Sequence, residues 1–204
     1  MRNFATAVIF LLGVCSMVVY SQDAPNSDRH SLSLSAVDFA FTYVPERAKT
    51  SNVDCGCFWF QGGSAEVALE SPFGLSLVSS FTGQHATALS GGGDVGKLSY
   101  LFGPRFMKRL PWGTSKHESL IFGEALFGGV HGFDGIFPNG SATASTANSF
   151  GFQSGGGWEV ALAHNVFLRP AQVDYFRSNL PNAGSQSQND LRLAFGVSYR
   201  IQRQ

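Results

Sequence analysis

Residues 191–201, LRLAFGVSYRI, divide into two faces without an exception. Leu191, Leu193, Phe195, Val197, Tyr199 and Ile201 share one parity, while Arg192, Ala194, Gly196, Ser198 and Arg200 share the other. Successive side chains of a strand point to opposite sides, so this alternation defines a strand with one greasy face and one face of small or cationic groups. The same split recurs upstream. Val37, Phe39, Phe41 and Tyr43 alternate through AVDFAFTY at 36–43, and Ala65, Val67 and Leu69 oppose Glu66, Ala68 and Glu70 at 64–70. Leu75, Leu77 and Phe81 form one parity of 75–83, and Leu98, Tyr100, Phe102 and Phe106 one parity of 98–107. In 150–163, Phe150, Phe152, Trp158, Val160 and Leu162 oppose Gly151, Gln153, Gly155, Gly157, Glu159 and Ala161. Segments 120–132 and 166–178 read as strands with a less regular alternation, since Leu120, Phe122 and Leu126 share parity with Glu124. Eight strands are predicted and no amphipathic helix.

Composition agrees. Charged residues are 14% of the 204-residue chain, against ~25% for an ordinary soluble domain. There are 24 glycines and 19 phenylalanines, yet mean hydropathy is only +0.02. Large apolar groups are therefore abundant without long apolar runs. A net charge of zero gives no footprint for nucleic acid.

The one long apolar run, Ala7 to Tyr20, follows a short cationic start, MRN. It has the length of a signal-peptide core and is short for a spanning helix, which needs ~20 residues. Small Ser21 places cleavage before Gln22, giving a signal peptide over 1–21, a short segment over 22–35 and a barrel over 36–204. Acylation at Cys15 is disfavoured because Val14 is bulky where a lipobox wants a small residue.

The connections alternate in length. Long polar stretches such as VPERAKTSNVDCGCF and GQHATALSGGGDVGK follow odd strands, while SPFG, PWGTSKHES and His164-Asn165 follow even ones. Up-and-down transmembrane barrels of the bacterial outer membrane have this layout, with short periplasmic turns and longer outer loops. On this reading protease outside the cell cuts near Lys49 or Lys97. Closure also removes exposed sheet edges. A soluble lipocalin-like barrel would point the greasy parity inward. Two features favour the inverse: the polar parity is mostly Gly, Ser and Ala, which suits a narrow eight-strand lumen, and the greasy parity is aromatic toward strand ends. Phe41, Tyr43, Phe150, Phe152, Trp158 and Tyr199 are the expected membrane-interface aromatics.

The run GVSYRI closely resembles the last strand of the OmpA-type outer-membrane barrel family, which ends in a similar Gly-Val-Ser-Tyr-Arg-aromatic run. RPAQVDY, 169–175, resembles the preceding strand of such barrels, where an acidic residue faces the lumen beside an outward aromatic. The resemblance implies an all-β, eight-stranded antiparallel barrel in outer-membrane lipid, monomeric, recognised through its last strand by the barrel-assembly machinery. Tyr199 fits that signal, whereas Ile201 stands where Phe is usual. No peptidoglycan-binding domain is read after the barrel, so a tethering role is not carried over.

No cofactor, metal set or catalytic residue is expected. Some eight-stranded barrels modify lipid, but His117-Glu118-Ser119 reads as a solvated turn on the periplasmic side, and His131 and His164 as strand-end residues. The triplet at 91–93 reads as a flexible loop and that at 155–157 as lumen packing or a kink. Cys55 and Cys57 form a Cys-Gly-Cys that an oxidising compartment would pair, with free thiols or a metal as alternatives. Phe58-Trp59-Phe60 after it is expected in the outer girdle.

The inward parity carries charge: Glu66, Arg105, Glu124, Glu159, Asp174, Arg192 and Arg200. Positions facing each other across a turn sum to a constant, which sets Arg105 opposite Glu124 and Asp174 opposite Arg192. The expectation is a lumen closed by charge pairs in a non-enzymatic barrel with a structural or surface-interaction role and an unknown surface ligand. The alternatives are a narrow small-solute pore, a lipid-modifying enzyme and a soluble binding barrel.

Overall fold

The computed structural model describes residues 34–49, 57–87, 93–111, 118–139, 142–181 and 187–202. The expected signal peptide over 1–21 lies outside them, as do Cys55 and His117. The described residues form strands and turns, with no helix among them.

Among the described residues there are eleven strands: β1 (Ala36–Tyr43), β2 (Glu46–Lys49), β3 (Cys57–Glu70), β4 (Leu75–Ala86), β5 (Val95–Arg109), β6 (Ser119–Phe133), β7 (Phe137–Asn139), β8 (Ala142–Ala144), β9 (Ala147–Ala161), β10 (Val166–Ser178) and β11 (Gln188–Gln202). β1 and β2 are two parts of one barrel stave, because both pair with β3 and with β11. Val44 N–H donates to Gly62 and Leu193 N–H donates to Pro45, carrying the ladder across the break. Pro45 has no N–H to offer there. Each of the eight staves pairs antiparallel with its chain neighbours, and β1–β11 closes the ring from Ala36↔Gln202 to Tyr43↔Phe195. β7 and β8 form a separate small hairpin between β6 and β9.

Strand faces fall as alternation requires. Phe39, Phe41, Leu77, Phe102, Trp158, Val173, Phe195 and Tyr199 are exposed on the outer surface, while Asp38, Glu66, Ser80, Arg105, Asp174 and Arg192 are buried in the lumen. The core is therefore the barrel interior, and the outside is a continuous apolar belt, the inverse of a soluble barrel. β6 breaks the simple pattern by sending Leu120, Phe122, Leu126 and Val130 inward with Glu124. Above the charged middle of the lumen, Leu101, Leu126, Val130, Phe176 and Leu180 pack with Phe137 of the small hairpin.

Several strands run further than alternation indicated. β3 begins at Cys57 rather than at 64, β4 continues to Ala86, and β5 starts at Val95. The looped-out stretches are correspondingly shorter, and length alternation survives mainly in the tight turns at 71–74 and 162–165. Gly74 holds φ of 77° in the first of these, and a Cβ there would lie 2.6 Å from the Met107 carbonyl oxygen. Only glycine fits.

Candidate functional site

The lumen is the site. Its two halves are joined by one hydrogen-bonded charge network, assembled from every barrel stave. Arg105 on β5 donates from Nε to Glu124 (2.7 Å) on β6 and from Nη2 to Glu66 (2.7 Å) on β3. Arg169 on β10 donates to Glu66 (2.9 Å), to Glu159 (2.8 Å) on β9 and to Gln172 (2.8 Å). Glu159 also lies 3.4 Å from Arg200 on β11, whose Nη2 donates to Asp38 (2.8 Å) on β1. Toward the loop end, Gln153 donates to Glu124 (3.1 Å) and accepts from Arg192 (2.9 Å). Arg192 donates to Glu46 (2.5 Å), which also pairs with Lys97, while Lys97 lies 3.7 Å from Asp190.

Aromatic rings fill the spaces between these ions. The Phe122 ring lies between Arg105 and Arg169, with centroid distances of 4.5 and 4.7 Å. Phe176 sits 3.4 Å from the Arg192 guanidinium and 4.8 Å from Lys97 Nζ. Dry cation–π contacts of this kind hold ring and cation together, each by about 2 kcal/mol. Gly157 makes room for this layer, since a Cβ there would come within 2.7 Å of the Phe122 ring. That assigns the inward part of the 155–157 triplet to lumen packing.

The network leaves little space. An internal cavity of about 10 Å³ is lined by Thr42, Ser64, Glu66, Gln153, Gln172, Asp174 and Arg192 among others, the size of about one water. At the short-turn end a vestibule of about 380 Å³ opens between Glu70, Arg109, Glu118 and Arg200.

All seven charged residues expected in the lumen are buried there: Glu66, Arg105, Glu124, Glu159, Asp174, Arg192 and Arg200. The register sets Arg105 opposite Glu124 and Asp174 opposite Arg192. Arg105 and Glu124 are also an ion pair. Asp174 and Arg192 are not. Arg192 turns to Glu46 and Gln153, while Asp174 accepts only from Gln172 (2.9 Å), and its Oδ1 has no hydrogen-bond partner among the described residues. The strong acceptor for Arg192 is Glu46, which lies on a stave fragment that read as loop.

Lys97 is likewise buried against Glu46 and not in an accessible loop, so it is no protease site. Asp38, Glu46, Lys97, Arg169, Gln172 and Asp190 complete the lumen beyond the expected set. Of Phe58-Trp59-Phe60, only Trp59 faces out, and Phe60 lies under Lys97 at 4.5 Å.

Phe41, Tyr43, Phe150, Trp158 and Tyr199 stand exposed on the outer face, and Phe152 is half-buried beside them. Glu118 pairs with exposed Arg109 at 2.5 Å, and Ser119 begins β6. His131 Nδ1 lies 2.7 Å from Asn148 Oδ1, and His164 is exposed in a tight turn. Among the described residues Cys57 forms no disulfide; its expected partner lies outside them. No group of potential metal ligands occurs among the described residues.

A closed antiparallel ring of eight staves with a charged interior and an apolar exterior is the architecture of the small outer-membrane β-barrels. Solved structures of that class match it. Ail, the attachment invasion locus protein of Yersinia pestis, aligns over 83% of this chain and 100% of its own at 14% identity, with a TM-score of 0.51. Neisserial surface protein A aligns over 82% of this chain and 99% of its own at 15% identity and a TM-score of 0.55. The outer membrane protein OprG from Pseudomonas aeruginosa aligns over 83% and 97% at 11% identity and 0.50. The likeness is one of fold. No protein-family model matches the chain, and no curated protein sequence does.

Proposed function

We propose that this chain is a non-enzymatic protein of the outer membrane, a monomeric barrel with a closed lumen that acts through the surface it presents outside the cell. The observation that carries the reading is the crossing of the whole lumen by linked ions, from Arg200 through Arg169 and Arg105 to Arg192 and Lys97, around a cavity of about 10 Å³. A hydrated ion needs a continuous water path, and interior charges satisfied by one another have no reason to part. The apolar belt supports residence in lipid, and the β11 alternation ending at Tyr199 and Ile201 supports delivery by the barrel-assembly machinery. The fold neighbours named for attachment or for the cell surface support a surface role over a transport one. Refolded protein in planar bilayers should give no steady conductance, and sugar-loaded liposomes should not swell. A large, steady conductance from the unmodified chain overturns the closed-lumen reading.

A further inference from the structure

Every acidic residue of the barrel strands lies on the inward parity, from Asp38 on β1 to Asp190 on β11. The outward charge is of one sign and unevenly placed. At the loop end, Arg47, His85 and Arg177 are exposed on the outer face of β2, β4 and β10, whereas Lys108 is the comparable residue at the short-turn end. Neither Arg47 nor Arg177 has an acidic partner among the described residues. In register, Arg47 stands opposite Trp59 on one side and Leu191 on the other, Arg177 opposite Asn189, and His85 opposite Gln61. The three basic groups thus form an arc over the contiguous staves β10, β11, β2, β3 and β4.

Two amides lie within the arc, both oriented by tyrosines. Tyr175 donates its hydroxyl to Asn189 Oδ1 (2.5 Å), and Tyr43 donates to Gln61 Oε1. With each oxygen occupied, the amide NH₂ groups remain as donors beside the arginines. The arc therefore offers donors and positive charge with no acid on the outer face, just above the aromatic belt. That is the complement of a phosphate at headgroup level.

We infer that this arc is a docking surface for a phosphorylated glycolipid of the outer leaflet, a further step that rests on the outer-membrane reading above. Arg47 and Arg177 are separated by the width of β11 and offset by two residues along it, a span of about 12 Å. Two phosphates on one disaccharide headgroup can bridge that span, and the single phosphate of a glycerophospholipid cannot.

The test uses the full mature barrel refolded into phosphatidylcholine vesicles, where a heat-modifiable band reports folding independently of any glycolipid. Bisphosphorylated lipid A is then titrated in, with dephosphorylated lipid A and phosphatidylglycerol as separate arms, and binding is followed by the change in tryptophan emission, to which Trp59 beside Arg47 contributes. Wild type and Lys108→Gln should bind lipid A alike. The double variant Arg47→Gln/Arg177→Gln should bind about 30-fold more weakly, from the fivefold or so that each interfacial cation contributes. Equal binding by wild type and the double variant overturns the site, as does equal binding of dephosphorylated lipid A. Equal binding of phosphatidylglycerol overturns the glycolipid assignment. Failure to form the heat-modifiable band in phosphatidylcholine overturns the membrane reading itself.

Discussion

Arg105 and Asp174 show how differently two buried charges can be placed within one lumen. Arg105 bonds two carboxylates and stacks on Phe122, so its removal leaves Glu124 in a dry interior with only the Gln153 and Gln172 amides, and leaves Glu66 with Arg169 alone. Breaking a buried pair from one side costs roughly 3–5 kcal/mol. Arg105→Met should therefore lower the urea midpoint of the refolded barrel by a corresponding amount. Asp174 has no arginine within ion-pair distance among the described residues and takes one hydrogen bond from Gln172. Asp174→Asn removes charge without stranding a cation, so its midpoint should equal or exceed that of the native chain. A loss for Asp174→Asn as large as that for Arg105→Met would mean that Arg192 depends on Asp174 after all. The expected set of inward charges was legible because parity alone fixes a face. The partner of Arg192 was not, because Glu46 stands opposite it in the ladder on the other side of β11, on the short strand β2 that read as loop. Arg192 joins β11 to Glu46 on the stave it borders, and to Gln153 two staves away.

At the scale of elements, β10 accounts for the charge that parity missed. Phe167 and Arg169 face inward, and so do Gln172, Asp174 and Phe176, which no strict period of two permits. The pairing with β11 shifts between Arg169 and Gln172, and the pairing with β9 shifts between Leu168 and Ala171. A bulge at Pro170-Ala171 absorbs one extra residue, consistent with proline's confinement to such positions within sheets. Extended from Asp174, unbroken alternation puts Arg169 on the lipid side. The bulge returns it to Glu66 and Glu159. β2 was hidden for a related reason: Pro45 and a four-residue strand give too short a run for periodicity to register. Deleting Ala171 should leave the inward set on both sides of the bulge unchanged, and the barrel should keep its heat-modifiable mobility. Inserting one alanine between Val173 and Asp174 turns Asp174, Phe176 and Ser178 toward lipid, and that band should be lost.

For the whole molecule, closure is the property on which the rest depends. Asp38 is reached by Arg200, and Glu46 by Arg192, only when β11 lies beside β1 and β2. A chain ending before β11 leaves two open edges in lipid, with backbone groups that nothing there can satisfy. The ring itself has no preferred starting point. Ala36 and Gln202 are ladder partners at the short-turn end, and the tight turn at 162–165 lies at that same end. A permuted chain can therefore join residue 202 to residue 36 by a short polar linker and open between His164 and Asn165, leaving every stave-to-stave ladder and every lumen ion pair in place. Opening the turn sacrifices only local bonds such as Leu162 N–H to Val166, at an exposed site of the kind that tolerates new termini. The permutant should refold into vesicles with the same heat-modifiable shift and a urea midpoint close to the native one. The chain truncated after Asn189 should show neither. If the truncated chain gives the protected band, or the permutant does not, closure through β1 and β11 is not what stabilises this barrel.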